Sequence, residues 1–232
     1  MIERIPSGIH GLDEFIQGGF PTPSVMLLLG EPGTGKTTLA MQSLFFGASR
    51  GETVIYMTGV AEPIFMLKKF MSNYEFFNEN LINNGRVQFW DLGTSIQTMG
   101  PRKALSAIIE IIKETEARRV IIDPLPLSHI FSSPQDYRKY LYDFFTGLRQ
   151  LEVFTLIVGE KDDSAYTDLD GYMVDGIVIL YLQSIDDPLV YRNLMRIRKM
   201  RGTDHTRNML AVELSAVGMS VKPLVRNGAS RP

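Results

Sequence analysis

Apolar positions along the chain fall into two patterns, short unbroken runs and stripes at helical spacing, and the two alternate. Val25-Met-Leu-Leu-Leu29 is an unbroken run that predicts a buried strand. From Lys36 to Ser49, Leu39, Ala40, Leu44, Phe45 and Ala48 recur at helical spacing. Thr53–Thr58 and Arg86–Asp91 predict two further strands, rich in β-branched and aromatic residues. A helix running to about Met71 lies between them, with Pro63 in its first turn. Pro101 opens a helix that carries Leu105, Ile108, Ile109 and Ile112 on one face. Arg119–Asp123, Phe154–Val158 and Gly176–Tyr181 are apolar strands, and Leu189–Val221 predicts two or three more at one sheet edge. Ser133-Pro-Gln-Asp136 has the spacing of a capping box, and the helix it opens carries Tyr137, Tyr140, Leu141, Phe144, Phe145 and Leu148. That stripe is core packing rather than a cofactor box. Strands alternating with helices predict an α/β fold with a mostly parallel sheet covered on both faces. With no repeat, low-complexity segment or linker, residues 1–232 are expected to form one domain.

Between the first strand and its helix lies Gly30-Glu31-Pro32-Gly33-Thr34-Gly35-Lys36-Thr37-Thr38, an ungapped match to G-x-x-x-x-G-K-[ST]. The glycines let successive N–H groups point at phosphate oxygens, and the helix N-terminus adds positive potential at the same place. Lys36 is expected to reach the outer phosphates, and the Thr37 hydroxyl to hold Mg²⁺. Before the loop, Gly8, Gly11, Gly18 and Gly19 with Pro6 and Pro21 set a turn-rich lead-in.

Composition narrows the chemistry. The 232 residues are 44% hydrophobic and 22% charged, ordinary for a globular chain with a sizeable core. A net charge of −2 argues against a general electrostatic trap for nucleic acid. The absence of cysteine excludes disulfides, thiol nucleophiles and thiolate metal sites. His10, His129 and His205 are too scattered to read as a zinc site. Met1–Ile5 holds no apolar core of signal-peptide length, and no run approaches the ~18 apolar residues of a spanning helix, so a soluble, cytoplasmic protein is expected.

Asp123 ends an apolar strand downstream of the phosphate loop, where a carboxylate binds Mg²⁺ directly or through water. Its bland alternative is a cap on the turn into Pro124. Gly159-Glu-Lys-Asp-Asp163 differs from a guanine-reading N-K-x-D by Glu160 at the asparagine position, which favours ATP over GTP.

Ile5-Pro-Ser-Gly-Ile-His-Gly-Leu-Asp13, Gly18-Gly-Phe-Pro21, the phosphate loop, Ile121-Ile-Asp123 and Lys199-Met-Arg-Gly-Thr-Asp-His205 together resemble the RecA/RadA superfamily, and within it the archaeal KaiC-like ATPases and RadA paralogues. The resemblance runs from about residue 4 to about residue 222. It implies a RecA-like core and ATP held between subunits of a homo-oligomer, with a hexamer among the open arrangements. It also implies that Lys199 and Arg201 reach the neighbouring subunit's γ-phosphate, with His205 accompanying them. Two-residue alternation is compatible: it puts Ile197, Lys199 and Arg201 on one face of a strand and Arg192, Arg196 and Arg198 on the other. Without the resemblance, the same residues read as a solvated edge strand.

One position departs from the pattern. Where the family has paired glutamates that orient the attacking water, this chain has Val60 and Ala61. Glu62 lies one residue on and is the substitute candidate, although it equally caps the helix after Pro63. Glu160, at the end of its strand, is a second candidate to contact water or the γ-phosphate. A missing base costs ~10²–10⁴ in rate, so tight ATP·Mg²⁺ binding with slow hydrolysis is expected. The loops expected to face DNA in a recombinase are roughly 124–133 and 161–175, and the second carries Asp162, Asp163, Asp168, Asp170 and Asp175 against Lys161 alone. Acidic loops repel phosphates, so DNA is disfavoured as a partner. A regulatory or assembly module acting on an unidentified protein leads, with a DNA-binding recombinase accessory and a non-catalytic scaffold as rivals.

Overall fold

The structure, a computed structural model, describes residues 2–59, 63–124, 133–160, 170–184 and 188–224. The lead-in forms β1 (Glu3–Ile5) and β2 (Phe20–Thr22), paired antiparallel. Then follow β3 (Ser24–Gly30), α1 (Lys36–Ser49), β4 (Val54–Thr58), α2 (Ile64–Met71), α3 (Glu79–Asn83), β5 (Val87–Asp91), α4 (Leu92–Met99), α5 (Pro101–Thr115) and β6 (Arg119–Asp123). The rest of the chain gives α6 (Pro134–Gln150), β7 (Phe154–Glu160), α7 (Asp170–Met173), β8 (Gly176–Ser184), β9 (Tyr191–Met200), β10 (Leu210–Ser215) and β11 (Gly218–Pro223).

Nine strands form one sheet in the order β11-β10-β9-β8-β3-β7-β6-β4-β5. From β8 to β5 every pairing is parallel, whereas β9, β10 and β11 extend the edge antiparallel. This is the α/β, mostly parallel sheet with additional C-terminal edge strands that the pattern predicts, and it matches the RecA-like core that the resemblance implies. β3 is buried along its whole length, because both of its faces are covered. Met26 and Leu28 pack with α1 residues such as Leu39, Leu44 and Phe45, while Val25, Leu27 and Leu29 pack with Leu105 and Ile108 of α5 and Phe145 and Leu148 of α6. The Ser133 hydroxyl accepts from the Asp136 N–H at 3.1 Å, so the capping box opens α6 as its spacing predicts. Among the described residues, no helix is long and apolar enough to cross a membrane.

Parallel pairing brings the strand ends together. Gly30 pairs with Glu160, and Thr58 pairs with Asp123. The carboxyl ends of β3, β7, β6 and β4 thus form one edge, where open α/β sheets bind ligands.

One expectation fails on β9. Its pairing with β8 slips by one residue, Lys199 facing Ile177 and Ile197 facing Val178, with Arg198 as the extra residue of a bulge. Ile197 and Val178 belong to the α1-side core, whereas Ile177 belongs to the opposite one. Lys199 therefore shares a face with Ile177 rather than with Ile197, and Arg196, which pairs with Ile179, lies on the same side as Lys199. A bulge resets the alternation, and nothing in Arg-Ile-Arg-Lys announces it.

Candidate functional site

The phosphate loop turns on two left-handed glycines, Gly33 at φ +82° and Gly35 at φ +92°, a region that side chains other than glycine's rarely adopt. Gly35 is the N-cap of α1 and offers no side-chain cap, and the first turn carries no acidic residue. The first N–H groups of a 14-residue helix are thereby left to an external acceptor. Thr34 braces the loop from inside by donating its hydroxyl to Glu31 O at 2.8 Å. Glu31 and Pro32 form its exposed crest, and Thr38 is buried beneath, its hydroxyl 3.3 Å from Tyr74 Oη.

Lys36 folds back over the loop and donates to Gly30 O and Glu31 O, both at 2.9 Å. Burial lowers its pKa, opposed by the charges of Glu160, Asp123 and Glu31. Glu160 is thus close enough to act on Lys36, and it stands exposed beside Gly30. The two loop carbonyls hold the ammonium where incoming phosphates would take it over.

Thr37, in the first turn of α1, and Asp123, the last residue of β6, come together. The Thr37 hydroxyl donates to Asp123 Oδ2 at 2.9 Å, and the Tyr56 hydroxyl donates to the same oxygen at 2.6 Å. Burial raises the Asp123 pKa, offset by the hydrogen bonds from Tyr56 and Thr37 and by the Lys36 charge. A hydroxyl and a carboxylate side by side are hard oxygen donors that suit Mg²⁺. Among the described residues no group of three or more His, Cys, Asp or Glu could hold a metal ion. Phosphate oxygens and water would have to complete the shell of any ion that Thr37 and Asp123 hold.

Lys199 and Arg201 lie elsewhere. Asp175 N donates to Val25 O at 2.7 Å, and Arg201 N donates to Asp175 O at 2.8 Å. The pair therefore sits at the foot of β3, while the phosphate loop leaves its top at Gly30. Five residue-to-residue steps of strand lead from Val25 to Gly30, about 17 Å at ~3.3 Å per residue. Lys199, Arg201 and His205 line one open cavity of about 360 Å³ together with Arg196, Arg198 and Arg207. No carboxylate is among the described residues that line it. Burial lowers the Lys199 pKa; the neighbouring Arg201 and Arg149 charges add to this, and the Asp175 charge opposes it. His205 faces this cavity, and its Nδ1 is 2.9 Å from Thr206 O.

Val60, Ala61 and Glu62 lie outside the described residues, as do Asp162, Asp163 and Asp168. Sequence reasoning misses Tyr56, Arg149 and the clamp around Gln42. Gln42 donates to Gly8 O and Met219 O and accepts from Met219 N, pinning β11 to α1 beside the loop. The signal that could find Tyr56 is alternation along β4, but only once β4 is known to pair with β6.

Residues 5–226 match the family described as "ATPase: KaiC". The chain is 27% identical to a UPF0273 protein of Thermotoga maritima, over 96% of this chain and 97% of that one. It is 25% identical to the circadian clock oscillator protein KaiC of Prochlorococcus marinus, covering 95% of this chain but 46% of the clock protein. A crystal structure of a KaiC-like protein from Pyrococcus horikoshii superposes with a TM-score of 0.83 at 29% identity, covering 96% of this chain and all of that one. A strand–glycine-loop–helix with Thr37 against Asp123, set in a sheet of this order and matched over nearly the whole chain, means that the chain belongs to the KaiC family of ATPases.

Proposed function

We propose that the protein binds ATP·Mg²⁺ between neighbouring copies of itself and works as a nucleotide-dependent regulatory or assembly module with slow hydrolysis. The observation that carries the reading is the 2.9 Å contact of the Thr37 hydroxyl with Asp123 at the mouth of the loop. There Lys36 and the α1 N-terminus would take the phosphates, and Thr37 and Asp123 the metal. Bound Mg²⁺ would neutralise charge on the phosphates.

Lys199 and Arg201 support the shared site. About 17 Å of strand keeps them from their own loop, so a triphosphate they touch belongs to another copy. Their cavity is rich in cations and presents no carboxylate among its described lining residues, so it suits a multiply charged anion. Slow turnover follows from Val60 and Ala61, neither of which can take a proton from water.

Steady-state turnover tests the reading. A typical enzyme at ~10 s⁻¹ that lacks its positioned base falls to about 0.1 s⁻¹ or less. Turnover of many ATP per second per subunit would refute slow hydrolysis. Failure of Lys36→Ala to abolish ATP binding would refute the site itself.

A further inference from the structure

Three cations converge on the C-terminal end of the short helix α7. Lys199 Nζ donates to Gly171 O at 2.8 Å and to Val174 O at 2.6 Å. Arg201 donates to Tyr172 O at 2.9 Å, and Arg149 donates to Met173 O. Asp175 sits among them. Its Oδ2 accepts from Arg149 Nε at 2.9 Å and from Val25 N at 3.0 Å, and its Oδ1 accepts from Arg201 at 3.3 Å. Residues from α6, from the segment after α7 and from the end of β9 thus meet at the foot of β3.

Three cations against one carboxylate leave the cluster positive. Their mutual repulsion is offset by the carbonyls of a helix C-terminus and by Asp175. Core packing does not require Arg201 to join the cluster, because its side chain is 57% exposed, whereas Asp175 beneath it is largely buried. What the cluster does is fix two cationic side chains at the rim of the basic cavity. Arg149 is anchored to Met173 O and Asp175 and is absent from that cavity's lining.

We propose that Arg149 and Asp175 are positioning residues for the Lys199–Arg201 pair, holding it in the arrangement that meets the outer phosphate of ATP bound by a neighbouring copy. The inference rests on the shared-site reading above. Its signature is the preference for ATP over ADP, since only ATP carries the phosphate the pair would touch.

The experiment measures affinities of fluorescent ATP and ADP analogues for Arg149→Met, alone and mixed with excess Lys36→Ala subunits. Lys36→Ala subunits offer an intact pair but hold no nucleotide, so bound ATP sits in the other variant's loops. Alone, Arg149→Met is expected to lose about tenfold of the ATP preference, the scale of one charge-assisted hydrogen bond, with ADP affinity kept. The mixture is expected to restore the preference. Parallel weakening of ATP and ADP, or no restoration where Arg201→Ala is restored by the same mixture, overturns the positioning role. If Arg201→Ala itself keeps its ATP preference, or the mixture fails to restore it, the shared-site reading falls and takes this inference with it. Asp175→Asn, isosteric and still able to accept from Val25 N, gives the same readings should Arg149→Met not fold.

Discussion

The Thr37 hydroxyl lies 2.9 Å from Asp123 Oδ2 although 86 residues separate the two along the chain. α1 starts at the top of β3, β6 ends two strands away, and the pairing through β7 sets the distance. In the proposed site the contact would make Asp123 an anchor for the ion, and it leaves a carboxylate partly desolvated.

Asp123→Asn is therefore expected to separate stability from function. Burial raises the Asp123 pKa above 3.8 in the folded state. Between the unfolded and folded values the folded chain binds more protons, so this group's contribution to stability falls as pH rises through that window. Above it, the native carboxylate is charged in a site that disfavours charge. Without nucleotide, Asp123→Asn should unfold later than the native chain at neutral pH, by about 1–3 kcal/mol. The gap should narrow in acid, where Asp123 takes up its proton. With ATP, the same variant should lose tenfold or more of the affinity gained from Mg²⁺ (a loss of about 1.4 kcal/mol) while binding in EDTA is unchanged. Thermal melts across pH and nucleotide titrations with and without Mg²⁺ check both halves. A variant less stable at pH 7 than at pH 4, relative to the native chain, would contradict the sign.

Tyr56→Phe removes the other donor to Asp123, at 2.6 Å, and keeps the ring in the core beside Phe89. Loss of a hydrogen bond to a charged acceptor should cost about 1.5–3 kcal/mol of stability. Urea unfolding at neutral pH measures it. A change below about 0.5 kcal/mol would mean that Thr37 alone satisfies the carboxylate.

The phosphate loop, α1 and β6 are legible in the sequence because their signals are local: glycines at fixed offsets, a helical stripe, an apolar run closed by Asp123. α4 is not legible. Leu-Gly-Thr-Ser-Ile-Gln-Thr-Met has weak helix formers, and the helix exists because Asp91 caps it by accepting from Thr94 N at 2.8 Å and because Leu92 and Ile96 pack into the core. The β9 bulge is invisible for a related reason. Its cause is the register with β8, a non-local property, so alternation along Arg196–Arg201 assigns Lys199 to the wrong face. Tyr56 and Arg149 escape notice because each acts on a partner that only the strand order and helix packing bring near.

Arg119 is a fully buried arginine whose chain neighbours give no hint of why. It forms a two-point ion pair with Glu52 at 3.0 and 3.1 Å and donates further to Ser43 O, Ser43 Oγ and Pro6 O. One side chain thus joins the start of β6, the back of α1 and the lead-in. Arg119→Met leaves Glu52, which is mostly buried, without its partner. The loss should be about 3–5 kcal/mol, and it should vary little with salt because the pair is shielded from solvent. Denaturant unfolding at low and high ionic strength measures both. A loss under about 1 kcal/mol, or one abolished by salt, would place the pair in the class of surface bridges.

Gln42→Leu tests whether the edge strands shape the nucleotide site. Gln42 holds Met219 by both N–H and C=O, and Met219 Cε and the Leu214 methyls lie 3.0 and 3.2 Å from where a Cβ on Gly35 would stand. The β10–β11 turn is thereby pressed on the N-cap of α1, and the bond from Glu75 N to Ala216 O at 2.9 Å holds it from the other side. Leucine matches glutamine in size but strands the Met219 groups and Gly8 O, which should cost about 1–3 kcal/mol. If the turn sets the entry to the phosphate loop, affinity for ATP and ADP should fall together by severalfold, because the change acts on the loop and not on the outer phosphate. Lost stability with unchanged nucleotide affinity would show that the clamp is purely architectural, while a selective loss of ATP over ADP would place its effect at the far phosphate instead.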